Sequence, residues 1–378
     1  MTAKYDVFKA KTKTGWNLLL RKPIAVIEAE EANEALAREL SLFDMLCIGI
    51  GGTVGTGIFA TAGTIISGTA GPAAVLSWMI AGAACCLSGF AYMELTTRVP
   101  SSGSSYAYAY YALGELPAFI AGFLLTLEYG VAGAGVARSW AAKVQQFAEA
   151  EHPGTSYAWL NEEHYNLMAG LVQALAVCIL LAGLRFGKLF INTITITKIC
   201  LVIFMIIAGG TTMNMENYSP LIPDVKIVND EERYGWRGVM LGASQAFFGY
   251  VGFDEVCCLA AEAKNPRKTM PLAVIGTVAG TCILSALASY VLAGMQPFEQ
   301  VVGFAEAFTS VNLPWASTLV RVGETLTSTF SFVHFKLFIV KYLCIYSSSA
   351  CRRFDCILGS TSFTICYGSR WPFTSNLL

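Results

Sequence analysis

The sequence predicts an all-α polytopic membrane protein, built as a five-plus-five inverted repeat with discontinuous first and sixth helices and an incomplete second repeat. Three observations predict it. Of the 378 residues, 55% are hydrophobic and only 13% charged, against roughly 25% charged in soluble domains. Seven apolar runs each approach the length of about 20 residues that a helix needs to cross a bilayer. Two of those runs, five apart in order, are interrupted by glycine at mid-span.

The composition also excludes. A net charge of −1 offers no basic excess to neutralise phosphates, so nucleic acid is not an expected partner. Eight of the twelve cysteines (Cys47, Cys85, Cys86, Cys178, Cys200, Cys257, Cys258 and Cys282) fall in apolar runs and read as small buried hydrophobes. The three histidines, at 152, 164 and 334, are too scattered for a metal site. No metal and no cofactor is expected.

Residues 1–40 are polar and read as a cytoplasmic N-terminal segment, with no cleavable signal peptide expected ahead of the first apolar run. The seven runs lie at 45–66, 72–94, 118–140, 166–184, 190–210, 238–260 and 271–294, with a weaker eighth at 326–346. With the N-terminus inside, the inner segments hold thirteen Lys and Arg and the outer loops four: Lys143, Lys226, Arg233 and Arg237. That asymmetry fits the positive-inside rule. The outer loop 211–237 carries the sequon Asn217-Tyr218-Ser219, followed by a proline that argues against its use. The lipid bilayer is thus the first expected partner, and a multi-pass location in the plasma membrane or an internal, vacuolar one follows.

The first run contains "GIGGTVGTGIF", residues 49–59, with five glycines in nine positions. Each weakens a helix by roughly 1 kcal/mol relative to alanine. A dinucleotide fingerprint would need a strand before it, and both flanks here are membrane sequence. Close helix packing by small residues is the plain alternative, and it favours glycines on one face. Gly51 and Gly55 fit such a face; Gly49, Gly52 and Gly57 do not. The third reading is an unwound stretch in a discontinuous helix, which lipid tolerates only where it lines a cavity or site. It demands a matching break in the other repeat. Five spans on, "ASQAFFGYVGFDEV", 243–256, supplies Gly249 and Gly252, with Asp254 and Glu255 beyond.

At these stretches the sequence resembles the cationic amino acid transporter family of the amino acid–polyamine–organocation superfamily. "LSLFDMLCIGIGGTVGTGIF" is similar to its first-span signature, and "FAYMELTTRVPSSGSSYAYAYYALGELPAFIAGFLLTLEY", 90–129, to its second-to-third-span block. "FFGYVGFDEVCCLAAEAKNPRKTMP", 247–271, is the most specific match. The resemblance runs from about Ser41 to Leu326. It implies a secondary active transporter of amino acids, cationic ones foremost, coupled to protons. In similar proteins the first-span segment offers backbone N–H groups to the substrate carboxylate, which maps onto Thr53, Thr56 and Gly57. Carbonyls of the broken sixth span would meet the ammonium, at Phe248, Gly249 and Val251, with Phe248 also serving as an aromatic lid. Asp254 would pair structurally.

Lys198 lies eight residues into the fifth run "INTITITKICLVIFMIIAGG". A cation at mid-membrane costs about 2.5–3.5 kcal/mol on insertion scales. It could snorkel, since eight residues are about 12 Å of helix. Alternatively it is a buried ammonium beside the first-span glycines, as in proton-coupled members that the chain resembles there. Burial disfavours the charged form, so such a lysine can take up and release a proton. Glu128 matches a third-span acid in those proteins and is the expected carboxylate partner, while Glu94 reads as structural.

The resemblance stops after "WASTLVRVGETLT", 315–327. The expected organisation is therefore a transporter core over 41–327 and an aberrant segment over 328–378, with lysines inside its only apolar run, as from mis-splicing or a frame shift. On that expectation a non-transporting amino-acid sensor, or an inactive fragment, is the rival to transport. A membrane enzyme finds no nucleophile–base pair or cofactor motif.

Overall fold

The computed structural model describes residues 38–99, 101, 103–151, 166–181, 188–228 and 231–326. Helix α1 spans Leu42–Ile65 and starts where it does because Ser41 caps it. The Asp44 N–H donates to Ser41 Oγ (3.3 Å), and the Ser41 N–H donates to Asp44 Oδ2 (3.0 Å). This reciprocal box satisfies two donors that a helix N-terminus leaves open. A π-helical turn, Ile66–Ala70, and a 3₁₀ turn, Gly71–Ala73, lead into α2, Ala74–Arg98. The boundary falls at Gly71, whose φ of 63° suits glycine, followed by Pro72.

α1 is helical without interruption, so the expected break between Gly51 and Gly57 is corrected. The physical reason lies in what surrounds the glycines. A β-carbon added to Gly49 would lie 2.3 Å from Thr277 Oγ1, and one on Gly51 would lie 2.2 Å from Thr195 Oγ1. One on Gly57 would lie 2.6 Å from Gly249 Cα. The glycines do not share a face because α1 is a central helix with close neighbours on several sides. They admit those neighbours, and the helix stays wound.

Next come α3 (Ser104–Ala112), the long α4 (Glu115–Glu151), α5 (Leu167–Leu181) and α6 (Lys188–Gly210). An antiparallel hairpin follows, β1 Lys226–Val228 against β2 Glu231–Arg233, with Lys226 opposite Arg233. Then α7, Gly235–Phe247, passes into a 3₁₀ turn, Phe248–Tyr250, and a non-helical stretch before α8, Glu255–Cys258. The sixth run is therefore discontinuous, as expected. After a 3₁₀ turn at Ala260–Glu262 come α9, Pro266–Met295, α10, Phe304–Ser310, and a helix over 314–326.

Among the described residues five helical stretches are long and apolar enough to cross a membrane: Leu42–Phe59, Thr61–Arg98, Glu115–Gln145, Ile191–Gly210 and Pro266–Met295. The other two expected crossings are the 15-residue α5 and the broken sixth run. The weaker run at 326–346 lies outside the described residues save its first, as do most of 1–40 and all of 328–378.

α9 packs along α1, α2 and α6, and α2 also packs on α7. Their shared apolar core includes Trp78, Val54, Ile58, Met205, Val278 and Phe308. Outside it, Phe119, Phe123, Leu127 and Val131 of α4 are exposed at four-residue spacing. A large outward apolar stripe of this kind suits lipid rather than water. At the Leu40 end, backbone bonds join Leu40 N–H to Glu262 O and Lys264 N–H to Leu40 O (both 3.1 Å), and Asn192 Nδ2 donates to Asp44 Oδ1 (2.7 Å). At the other end Tyr234 N–H donates to Thr69 O (2.9 Å), and Lys226 pairs with Glu299. Asn217, the sequon residue, spends its amide on Gly294 O (2.7 Å).

Candidate functional site

The break in the sixth run is made by two residues. Val251 is extended (φ −56°, ψ 126°), and Gly252 takes φ 116°, a region that side chains other than hydrogen disfavour. The N–H groups of Val251 and Phe253 close small turns onto Phe248 O (3.2 Å) and Tyr250 O (3.3 Å). Backbone of this kind survives inside a membrane only when protein covers it. Here the cover is tight: Gly249, Tyr250, Gly252 and Phe253 are buried, and Phe248 and Val251 are partly so.

Trp78 of α2 supplies one wall. A β-carbon on Gly249 would lie 2.6 Å from Trp78 Cη2 and 2.8 Å from Gly57 Cα. The sixth-run break thus touches the first run backbone to backbone. Tyr250 braces that wall, donating through its hydroxyl to Trp78 O (2.8 Å) with its ring 5.8 Å from the indole. The tip of the Phe248 ring approaches α4, 3.5 Å from where a Gly135 β-carbon would sit.

Polar groups converge on the same region. Lys198 is 2% exposed, and its Nζ donates to Gly51 O (2.7 Å). It faces α1 and not the lipid side. One turn away Thr195 Oγ1 donates to Cys47 O (2.9 Å), so α6 grips α1 at two carbonyls. Thr53 Oγ1 bonds Thr281 Oγ1 of α9 (2.7 Å) and donates to Gly49 O (3.1 Å). On the far side Tyr129 donates its hydroxyl to Asp254 Oδ2 (2.6 Å). Asp254 is 6% exposed, and the neighbouring Glu255 is 0% exposed.

The eight residues expected from the sequence thus meet different fates. Gly57 and Gly249 are in contact, Phe248 and Val251 flank the break, and Lys198 reaches the first-run glycines. Thr53 and Thr56 lie inside the continuous α1, where Thr53 ties α1 to α9. Glu128 lies on α4 beside Tyr129, the residue that donates to Asp254. Asp254 pairs as expected, with Tyr129. Glu255, Trp78, Thr195 and Thr281 were missed. For Glu255 the signal existed, since an acid inside a membrane run is a functional-site hypothesis in its own right.

The amino acid permease family model matches residues 40–349. The chain belongs to that family. The match continues past Leu326, where the motifs ended, and membership in the amino acid–polyamine–organocation superfamily follows. The chain is 36% identical over 328 residues to the methylthioribose transporter of Bacillus subtilis, covering 83% of this chain and 68% of that protein. It is 33% identical over 337 residues to cationic amino acid transporter 1 of Arabidopsis thaliana, covering 84% and 54%. Against cationic amino acid transporter 4 of Homo sapiens it is 31% identical over 312 residues, covering 79% and 48%. The chain spans about half the length of these two cationic transporters.

Proposed function

We propose that the chain is a secondary active transporter of amino acids, cationic ones foremost, and that protons drive it through Lys198. The observation that carries this reading is the buried Lys198 ammonium on the Gly51 carbonyl, beside the point where the broken sixth run touches the first. A cation in that position occupies the place of an inorganic driving ion and can be discharged by losing a proton. The substrate would bind where the Gly57 and Gly249 backbones meet. Its ammonium would face the carbonyls of Phe248, Gly249 and Val251, and its carboxylate the Thr53–Thr56–Gly57 stretch.

The experiment is uptake of radiolabelled arginine by the full chain in proteoliposomes, with an imposed proton gradient. Leucine and methylthioribose serve as competitors, the second because one relative bears that substrate in its name. Lys198→Arg is the decisive variant, because arginine stays charged at any working pH. Loss of uphill, pH-dependent uptake with binding retained is expected. Normal accumulation with an unchanged pH profile would end the proton-coupling proposal.

A further inference from the structure

A buried ion pair ties α4 to the helix over 314–326. Lys143 of α4 donates through Nζ to Glu324 Oε2. Its two ends are unequally placed, with 7% of the Glu324 side chain exposed and 18% of the Lys143 side chain. The carboxylate is fixed by packing. Its neighbour Gly323 lies so close to α6 that a β-carbon there would be 2.6 Å from Leu201 Cδ2. Lys143 sits on a flexible four-carbon stem in the outer part of α4. One turn from Glu324, Arg321 faces Glu306 of α10 (3.8 Å), so its charge is met there.

The pair stands in the wall of the candidate site. Lys198 of α6 bonds Gly51 of α1, and Leu201, one turn on, lies against Gly323. Glu324 holds Lys143 of α4, the Phe248 tip approaches Gly135 of α4, and Gly249 meets Gly57 of α1. These contacts close a ring of α1, α6, the helix over 314–326, α4 and the sixth-run break. Along the ring α4 alone separates Glu324 from the break. Gly135 and Lys143 are eight residues apart, about 12 Å of helix. A helical side chain leans back towards the N-terminus, here towards Gly135. The Lys143 stem covers part of that distance, and the side chain of a bound lysine or arginine, at least as long, covers the rest.

A carboxylate buried between helices needs a cation, because removing one partner of a buried pair leaves an uncompensated charge. Without substrate, Lys143 supplies that cation. The ammonium of a second lysine, or a guanidinium, offers the same charge, so exchanging one for the other keeps the buried charges balanced. A neutral side chain offers no such exchange. We propose that Glu324 is a specificity-determining residue: its carboxylate takes the cationic side chain of a lysine or arginine substrate in exchange for Lys143, which turns towards the outer water. The exchange makes and breaks ionic hydrogen bonds alone. The proposal rests on the reading of the chain as an amino acid transporter and assigns its cationic preference to one residue.

The test is uptake of radiolabelled arginine and leucine by the full chain in proteoliposomes, as parent, Glu324→Gln and Lys143→Met. Glu324→Gln should raise the KM for arginine about tenfold or more and leave that for leucine unchanged. Lys143→Met removes the internal competitor and should lower the KM for arginine alone. A purely structural pair predicts parallel losses for both substrates in both variants, and that outcome overturns the proposal. So does a parent that accumulates leucine and not arginine, which leaves the transport reading standing. A parent that accumulates neither ends the transport reading itself. Should a single variant fail to reach the membrane, the double variant of Glu324→Gln with Lys143→Met, which removes both charges together, decides. Leucine uptake with the arginine preference lost supports the role of Glu324. A surviving arginine preference overturns it, and so does a double variant that also fails, since the pair then serves folding.

Discussion

The first and sixth runs carry glycines at similar places and end differently. α1 keeps its helix through five glycines, whereas the sixth run comes apart at two. The difference lies in what the glycines meet. In α1 Gly49 and Gly51 face side chains, Thr277 and Thr195, and Gly57 faces the backbone of Gly249, so each of these three provides room for a neighbour. In the sixth run Gly252 provides a backbone angle, φ 116°, that ends the helix, and Asp254 follows as a polar anchor held by Tyr129. Glycine content alone therefore does not mark a break. A break needs a glycine used for its angle and polar groups that hold the loose ends.

Substitutions that separate the two uses of glycine test this comparison most directly. Gly57→Ala should have the largest effect, because its new β-carbon meets Gly249 backbone and not a side chain that could rotate away. A loss of about 3 kcal/mol is expected, read as a lower melting temperature of the detergent-solubilised full chain, together with loss of arginine binding. Unchanged melting with binding lost would instead indicate that this part of α1 opens to receive substrate, as the sequence suggested.

Tyr129→Phe comes next. It removes the donor to Asp254, the anchor just beyond the break, and leaves a buried carboxyl group to find another partner. About 2 kcal/mol should be lost. The same substitution would be silent if the break held itself. Gly252→Ala tests the angle directly and should cost about 1–2 kcal/mol through strain. If it melts like the parent, the backbone there is not fixed by glycine.

The smallest expected effect has the opposite sign. Gly130 of α4 has nothing within 4 Å of where its β-carbon would lie. Gly130→Ala should stabilise by about 0.5–1 kcal/mol through helix propensity alone. A destabilised Gly130→Ala would show that empty space around a glycine is a poor guide in this protein, and would weaken the reading of Gly57 with it.

Much of the site was legible because membrane sequence is unforgiving. A lysine eight residues inside an apolar run must be paired or lead somewhere, and Lys198 does reach the first-run glycines. The identity of its acceptor was not legible: Gly51 lies 147 positions away in the chain, and only the packing of α6 against α1 brings the two together. Thr53 illustrates the same limit. Its backbone reads as a neighbour of the substrate carboxylate, but that its hydroxyl bonds Thr281, 228 residues later, at 2.7 Å is shown by no local pattern.

By itself the sequence determined that the chain is helical and membrane-embedded, and where its runs begin. Hydrophobicity, charge and capping are properties of neighbouring residues, and Ser41 with Asp44 is enough to start α1. It also determined the broken sixth run, since the glycine that takes the unusual angle and the acids that follow are local. Only the tertiary structure decided that the first run stays wound, because the space around Gly49, Gly51 and Gly57 belongs to Thr277, Thr195 and Gly249. Those contacts join residues more than a hundred positions apart. No local pattern in the chain encodes which helix will lie against which.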